Sequence, residues 1–364
     1  MTEVDVAIVG GGVVGLAIAA EISARGTSVC VLERHPRPGM ETSTHNSGVI
    51  HAGIYYPPGS LKAQLCIEGK HRLYAFCEQY GVPYARPGKL IVAAGESEIP
   101  ALESLHRVGR ANGVELDFVD AAFIREREPN VVGTAALFSP STGVVSAERL
   151  VNELRRLCVE RDAALLPGTP LVEANARDRS IELVTPRERI SASVVVNAAG
   201  LYADDVSAML GGESFHIYPA RGEYAELAPS KRSLIRGPVY PVSHMPGHSL
   251  GVHFVPTIDG AVLVGPTIRY QEGKADYEGD RLALEDFVEP TSRLLPGIRL
   301  EDLRLAGSGI RAKLCPPSEP FVDFMIRPDT RVPNVVHAAG IDSPGLTSCL
   351  AIGRMAAALV SERL

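Results

Sequence analysis

Positive charge is not in excess in this chain: 36 Lys and Arg stand against 43 Asp and Glu, for a net charge of −7. A general nucleic-acid binder needs a basic surface to meet phosphates, so that class is disfavoured and a small-molecule partner is expected. None of the six cysteines (Cys30, Cys66, Cys77, Cys158, Cys315 and Cys349) forms a C-x-x-C pair. That pattern reads as reduced thiols in a cytosolic setting rather than as a metal site. The strongest apolar run, Val6 to Ala20, is broken by glycines and flanked by Glu3, Asp5 and Glu21. It has no basic leader and no cleavage site, so it reads as neither signal peptide nor transmembrane helix. No spanning segment, internal repeat or low-complexity tract is found elsewhere, which leaves peripheral membrane association through an apolar loop open.

What is present is ordinary for a globular α/β protein: 45% hydrophobic residues, 22% charged and 35 glycines in 364 residues. Cores stop growing at roughly 250–300 residues, so two interleaved domains are expected. The chain opens with VDVAIVG, a β-branched run of the buried parallel type. GGGVVG and the helical LAIAAEISARG follow, with Gly26 as a stop, and then the apolar TSVCVLE. Strand, glycine turn, helix and strand within about thirty residues make a βαβ unit. Gly10, Gly12 and Gly15 form G-x-G-x-x-G at the helix start, where a pyrophosphate can sit on exposed N–H groups beside Val13 and Val14. Glu33 ends the second strand and would take ribose hydroxyls, with Arg34 next to it. A carboxylate there disfavours the 2′-phosphate of NADP; FAD and NAD both remain open.

The loop HPRPGMETSTHNSGVIHAG is long and rich in turn formers, which marks it as functional. A helix is predicted from Leu61 to Tyr80, closed by Gly81, then short strands to Val145 with one amphipathic helix near Glu98 to Asn112. SAERLVNELRRLCVERDA reads as a helix capped by Ser146, followed by strands in LVEANARD, SIELVT and SASVVVNAAG. The last runs into Gly200 and repeats the dinucleotide-fold grammar. Strands with proline and glycine turns fill 212 to 326, with one helix around Asp280 to Leu294. NVVHAAG then leads through IDSPG into a helix whose start is set by Gly345 and Thr347. The predicted fold class is α/β. A discontinuous Rossmann-like domain takes 1–81, 146–211 and 327–364, and an α+β substrate domain on an antiparallel sheet takes 82–145 and 212–326.

The strings ETSTHNSGVIHAGIYYPPGSLKAQLC, YPARGEYAEL, VYPV and LGVHFVPTIDGAVLVGP resemble the L-2-hydroxyglutarate dehydrogenase/oxidase group of the FAD-dependent D-amino-acid-oxidase-like superfamily, over nearly the full length. The resemblance implies FAD, held non-covalently. It places Thr42, Ser43, His45, Asn46, Ser47 and Gly48 along the flavin, Leu171 near the adenine, and Ala199 and Gly200 near the pyrophosphate. It puts Gly340, Gly345, Leu346 and Thr347 by the ring, where a helix start can stabilise negative charge. Some amine oxidases of the superfamily link flavin through a cysteine near the position of Cys315; no such bond is expected here.

Oxidising an alcohol requires a base for the hydroxyl proton, and His253 in LGVHF is the first candidate because histidine titrates near working pH. His51 in VIHAG is the second. Tyr55 and Tyr240 can hydrogen-bond substrate oxygens. Arg311 in GIRAKL matches the carboxylate-gripping arginine of related enzymes, and Lys313 adds charge. The expected activity is oxidation of a small 2-hydroxy acid, L-2-hydroxyglutarate first, with oxygen or a quinone as electron acceptor. The turn GIDSPGLTS is closer to amine oxidases, so an amino-acid or secondary-amine oxidase stays open, as does a non-catalytic flavoprotein.

Overall fold

The structure, a computed structural model, describes residues 2–177, 180–242 and 250–364. β1 (Thr2–Val9), α1 (Val13–Ser23) and β2 (Val29–Glu33) form the expected opening unit, with β1 and β2 parallel and Val6 opposite Val29. Alternate residues of β1 feed two cores. Val6 and Ile8 pack with α1 and the C-terminal helix Gly345–Ser361, while Ala7 and Val9 pack with Cys30, Leu32, Val206 and Leu210 on the other face. Burial on both faces is why these strands are continuously apolar rather than alternating.

The strand Arg189–Asn197 runs parallel along the other edge of β1, and Val335–Ala339 pairs parallel with its end. Ala164–Pro167 extends the sheet beyond β2. One sheet therefore gathers strands from three separated stretches of chain. Its margins are antiparallel, from Met325–Pro328 and from the pair Glu173–Ala176 and Ile181–Val184. The final residue of the predicted LVEANARD strand, Asp178, lies outside the described residues.

A nine-stranded, mainly antiparallel sheet is built from 89–139 and 218–313. Tyr218–Leu227 pairs along its length with Leu303–Lys313, setting Ala220 opposite Arg311. Val239–Pro241 lies parallel to Lys89–Ala93, and His253 stands opposite Gly265. α2 (Leu61–Tyr80) ends on Gly81 in the left-handed region, as its sequence predicts, and Ser146 accepts from Arg149 N at the start of Ala147–Glu160.

Two expectations change. The helix around 280–294 is a 3₁₀ turn, Leu284–Phe287, followed by the short helix Val288–Ser292. Pro290 lacks the N–H that an α-helix running through it would need and would crowd the carbonyl four residues back. Ala121–Arg127, read as part of a strand-rich region, is helical; Asp120 accepts from Phe123 N at 2.9 Å and caps it. Among the described residues no helix is long and apolar enough to cross a membrane.

Candidate active site

A cavity of about 630 Å³ is lined by residues of both sheets, a size usual for cofactor and ligand sites. At one end lies the β1–α1 turn. Gly10 has φ 112°, and a Cβ there would overlap Ala198 O; a Cβ on Gly15 would overlap Gly10 O. Glycine is thus required for α1 to begin tight against the sheet. α1 has no side-chain cap and no acidic residue in its first turn, while Val13 N donates to Ser43 Oγ at 2.9 Å. Glu33 is buried, its carboxylate accepting from Gly11 N at 2.9 Å and from His35 N at 2.7 Å. Burial pushes this carboxyl up, opposed by the His35 and Gly11 N–H groups. Arg34 lies 3.9 Å over the Tyr202 ring.

The loop 41–48 is pinned by its own polar side chains. Thr42 Oγ1 donates to Ile310 O at 2.8 Å, and Asn46 Nδ2 donates to Thr42 O and Ser43 O while its Oδ1 accepts from Gly48 N. Much of the predicted hydroxyl and amide chemistry there fixes the loop. Thr42, Ser43, His45, Asn46, Ser47 and Gly48 nonetheless all line the cavity, as do Gly12, Val14, Leu171, Ala199, Gly200, Gly345 and Leu346. Gly15, Gly340 and Thr347 do not. Gly15 makes the close helix contact, and a Cβ on Gly340 would run into Leu314. Thr347 is fully buried and accepts from His51 N at 2.9 Å, so it anchors the loop that carries His51.

The other end of the cavity brings together His51, Tyr55, Tyr240, His253, Arg311 and Lys313. His253 Nδ1 lies 2.7 Å from Gly251 O, which places the proton on Nδ1 and leaves Nε2 as an acceptor. Its ring stacks on Tyr240 with centroids 3.7 Å apart. His51 Nε2 is 3.2 Å from Ser343 Oγ. His51 Nδ1 and Arg311 Nη1 are buried with no hydrogen-bond partner among the described residues, which is costly unless a ligand supplies one.

The expectation that these histidines titrate near working pH is corrected. Burial, with Lys89 and Arg311 adding to it, pushes His253 down to about 3. Burial, Lys89 and His253 do the same to His51, also about 3. Both imidazoles are neutral across the working range. The charge expected from Lys313 is matched: Asp342 lies 2.9 Å from Lys313 and 2.8 Å from Lys62. Burial alone would raise the Asp342 carboxyl, but the two lysines hold it at about 2. This triad keeps one surplus positive charge, and Arg311 adds another two positions along the same strand.

Sequence reading missed Lys62, Asp342 and Lys89. Lys62 sits in the quoted string SLKA, but neither its partner nor that of Lys313 is signalled by spacing, since Asp342 is distant in sequence from both.

The cavity fits a dinucleotide on its own features: an uncapped helix start, a buried carboxylate at the next strand end, and unpartnered polar atoms at the far end. Comparison with known proteins agrees. L-2-hydroxyglutarate dehydrogenase of Escherichia coli (strain K12) is 32% identical, the alignment covering 96% of this chain and 91% of that protein. The mitochondrial enzyme of the same name from Nematostella vectensis is 33% identical over 99% of this chain and 91% of its own. Among solved structures, FAD-bound L-α-glycerophosphate oxidase from Mycoplasma pneumoniae superposes with a TM-score of 0.91 at 28% identity, covering 99% of this chain and 95% of that one. Glycine oxidase from Geobacillus kaustophilus shares the fold, with a TM-score of 0.86 at 23% identity over 100% and 95% of the two chains. The family model for FAD dependent oxidoreductases matches residues 5–359, and the chain belongs to that family.

Proposed function

We propose that this enzyme oxidises a small 2-hydroxy dicarboxylate of the L-2-hydroxyglutarate kind to the 2-oxo acid. The observation that carries the reading is the unpartnered Arg311 Nη1 beside two neutral imidazoles in the cavity. Its planar fork suits a carboxylate. The surplus charges of Arg311 and of the Lys62–Asp342–Lys313 triad suit a dianion. Relatives 30–34% identical over nearly the whole chain bear the name L-2-hydroxyglutarate dehydrogenase, which supports the choice.

Bound FAD would supply the two-electron acceptor for the hydride leaving C2. Gly10, Gly12, Val13, Glu33, the 42–48 loop and Gly345–Leu346 would hold it. His253 Nε2 takes the hydroxyl proton, Arg311 binds the carboxylate beside the reacting carbon, and His51 Nδ1 and the Tyr55 hydroxyl orient the substrate oxygens. Oxygen or a quinone would serve as the final electron acceptor. We assign cofactor binding to 1–81, 146–211 and 327–364 and substrate binding to 82–145 and 212–326. The gathering of the parallel strands from the first set supports this division.

Anaerobic mixing of the purified flavoprotein with L-2-hydroxyglutarate should bleach the flavin absorbance. Bleaching by amino acids and by no hydroxy acid would replace this reading with an amine oxidase. Arg311→Ala should weaken substrate affinity by roughly 10- to 150-fold, the worth of a charge-assisted hydrogen bond. An unchanged KM in that variant removes Arg311 from the role.

A further inference from the structure

Lys89 is 1% exposed and, among the described residues, no carboxylate pairs with it. Its ammonium lies 4.6 Å from the centre of the Tyr55 ring and 4.4 Å from that of Tyr240, so two aromatic faces hold it from the cavity wall. It donates to Tyr55 Oη at 3.4 Å. Tyr240 stacks on His253, and Tyr55, Tyr240 and His253 all line the cavity, while Lys89 stands behind them. An unpaired buried ammonium costs folding free energy, and the strand Lys89–Ala93 is buried along its whole length.

We propose that Lys89 is a positioning residue that fixes the Tyr55 hydroxyl as a hydrogen-bond donor into the cavity, toward an anionic substrate. An ammonium can only donate, so Tyr55 Oη accepts from Lys89 and its own proton must point elsewhere, to the substrate side. A neutral amine has a lone pair. The Tyr55 hydroxyl can then turn back to donate to Nζ, and the cavity loses a donor. Lys89 thereby links carboxylate affinity to pH. This inference rests on the placement of substrate beside Tyr55 proposed above.

The surrounding groups leave Lys89 as the member of this cluster that changes charge near neutrality. Burial brings its ammonium down to about 7, opposed by Cys66 of α2. Burial pushes the Cys66 thiol up to about 12, and it raises Tyr55 and Tyr240 above the ordinary phenol range. His51, from the loop before α2, and His253, from the strand His253–Pro256, stay neutral down to about 3. Arg311, on the strand Leu303–Lys313, faces His253 from the other side of the cluster. Because the folded amine titrates below its unfolded value, the ammonium is present below pH 7 and lost above it.

The test measures the affinity of the FAD-loaded protein for 2-oxoglutarate and for acetate at pH 6 and pH 9, read from the shift each causes in the flavin spectrum. Wild type should bind roughly 10-fold more weakly at pH 9. Lys89→Met should bind more weakly than wild type at pH 6 and lose the pH dependence, because its side chain neither fixes the Tyr55 hydroxyl nor changes charge. Tyr55→Phe should also lose the pH dependence, and the double variant should be no weaker than Tyr55→Phe alone, because Lys89 acts only through the Tyr55 hydroxyl. FAD content and thermal stability of Lys89→Met should equal or exceed wild type, since an apolar side chain replaces a buried charge. A Lys89→Met protein that keeps the wild-type affinity and pH dependence overturns the proposal, as does a pH-independent wild type. Binding of acetate but not of 2-oxoglutarate would instead refute the dicarboxylate reading while Lys89 is still judged with acetate. Binding of neither refutes both.

Discussion

His253→Asn is expected to lower kcat by roughly 10²- to 10⁴-fold, the usual worth of a positioned general base, while FAD content stays at the wild-type level. The asparagine amide can occupy the place of Nδ1 and keep the bond to Gly251 O, so the strand His253–Pro256 should hold its geometry. What disappears is the acceptor at Nε2. Substrate affinity should change far less than turnover, because Arg311 and Tyr55 are untouched. Rapid-mixing measurement of flavin reduction separates the two quantities. A rate of reduction within a factor of about three of wild type would sink the assignment. If His51→Asn causes the large loss instead, the roles of the two histidines are exchanged. The pH profile adds an independent sign. With His253 lowered to about 3, its base form persists far below the ordinary histidine range, so no acid-side loss near pH 6.5 should arise from it.

Gly15→Ala is expected to weaken FAD binding by at least about tenfold, because the inserted methyl overpacks a closed contact. The Cβ would collide with Gly10 O, a backbone atom that cannot swing aside. Either α1 lifts away from β1 or the Gly10 turn opens, and both displace the helix start from the pyrophosphate position. The protein should purify pale, with a low ratio of flavin to protein absorbance. Gly95→Ala serves as the control: no heavy atom lies within 4 Å of a Cβ there, and it should bind FAD as wild type does. Full flavin occupancy in Gly15→Ala would show that the turn is not the cofactor's anchor.

The opening unit was legible because its signals are local. The apolar period of β1, the glycines at 10, 12 and 15 and the carboxylate at 33 lie within one continuous stretch, and each has a stereochemical reason to be there. Helix ends were legible for the same cause: Ser146 and Gly81 act on their own neighbours. The short helix after Asp120 carried such a signal too, and Pro290 announced the break in the helix expected around it. The protonation of His253 was not legible, since it depends on burial and on Lys89 and Arg311, both far away in sequence. Nor was the partner of Lys313: it sits in a turn that meets the Leu303–Lys313 strand only once both sheets are assembled.

By itself the sequence determined the βαβ opening unit and the α/β class, because backbone stereochemistry and apolar periodicity act over a few residues. The family resemblance carried by its motifs added most of the cavity-lining residues that were named in advance. Only the tertiary structure decided which of those residues keep free polar atoms, which spend them on pinning loops, and that Lys89 stands unpaired behind Tyr55 and Tyr240. Those outcomes follow from desolvation and from contacts between distant stretches of chain, and neither quantity is written in any local stretch of residues.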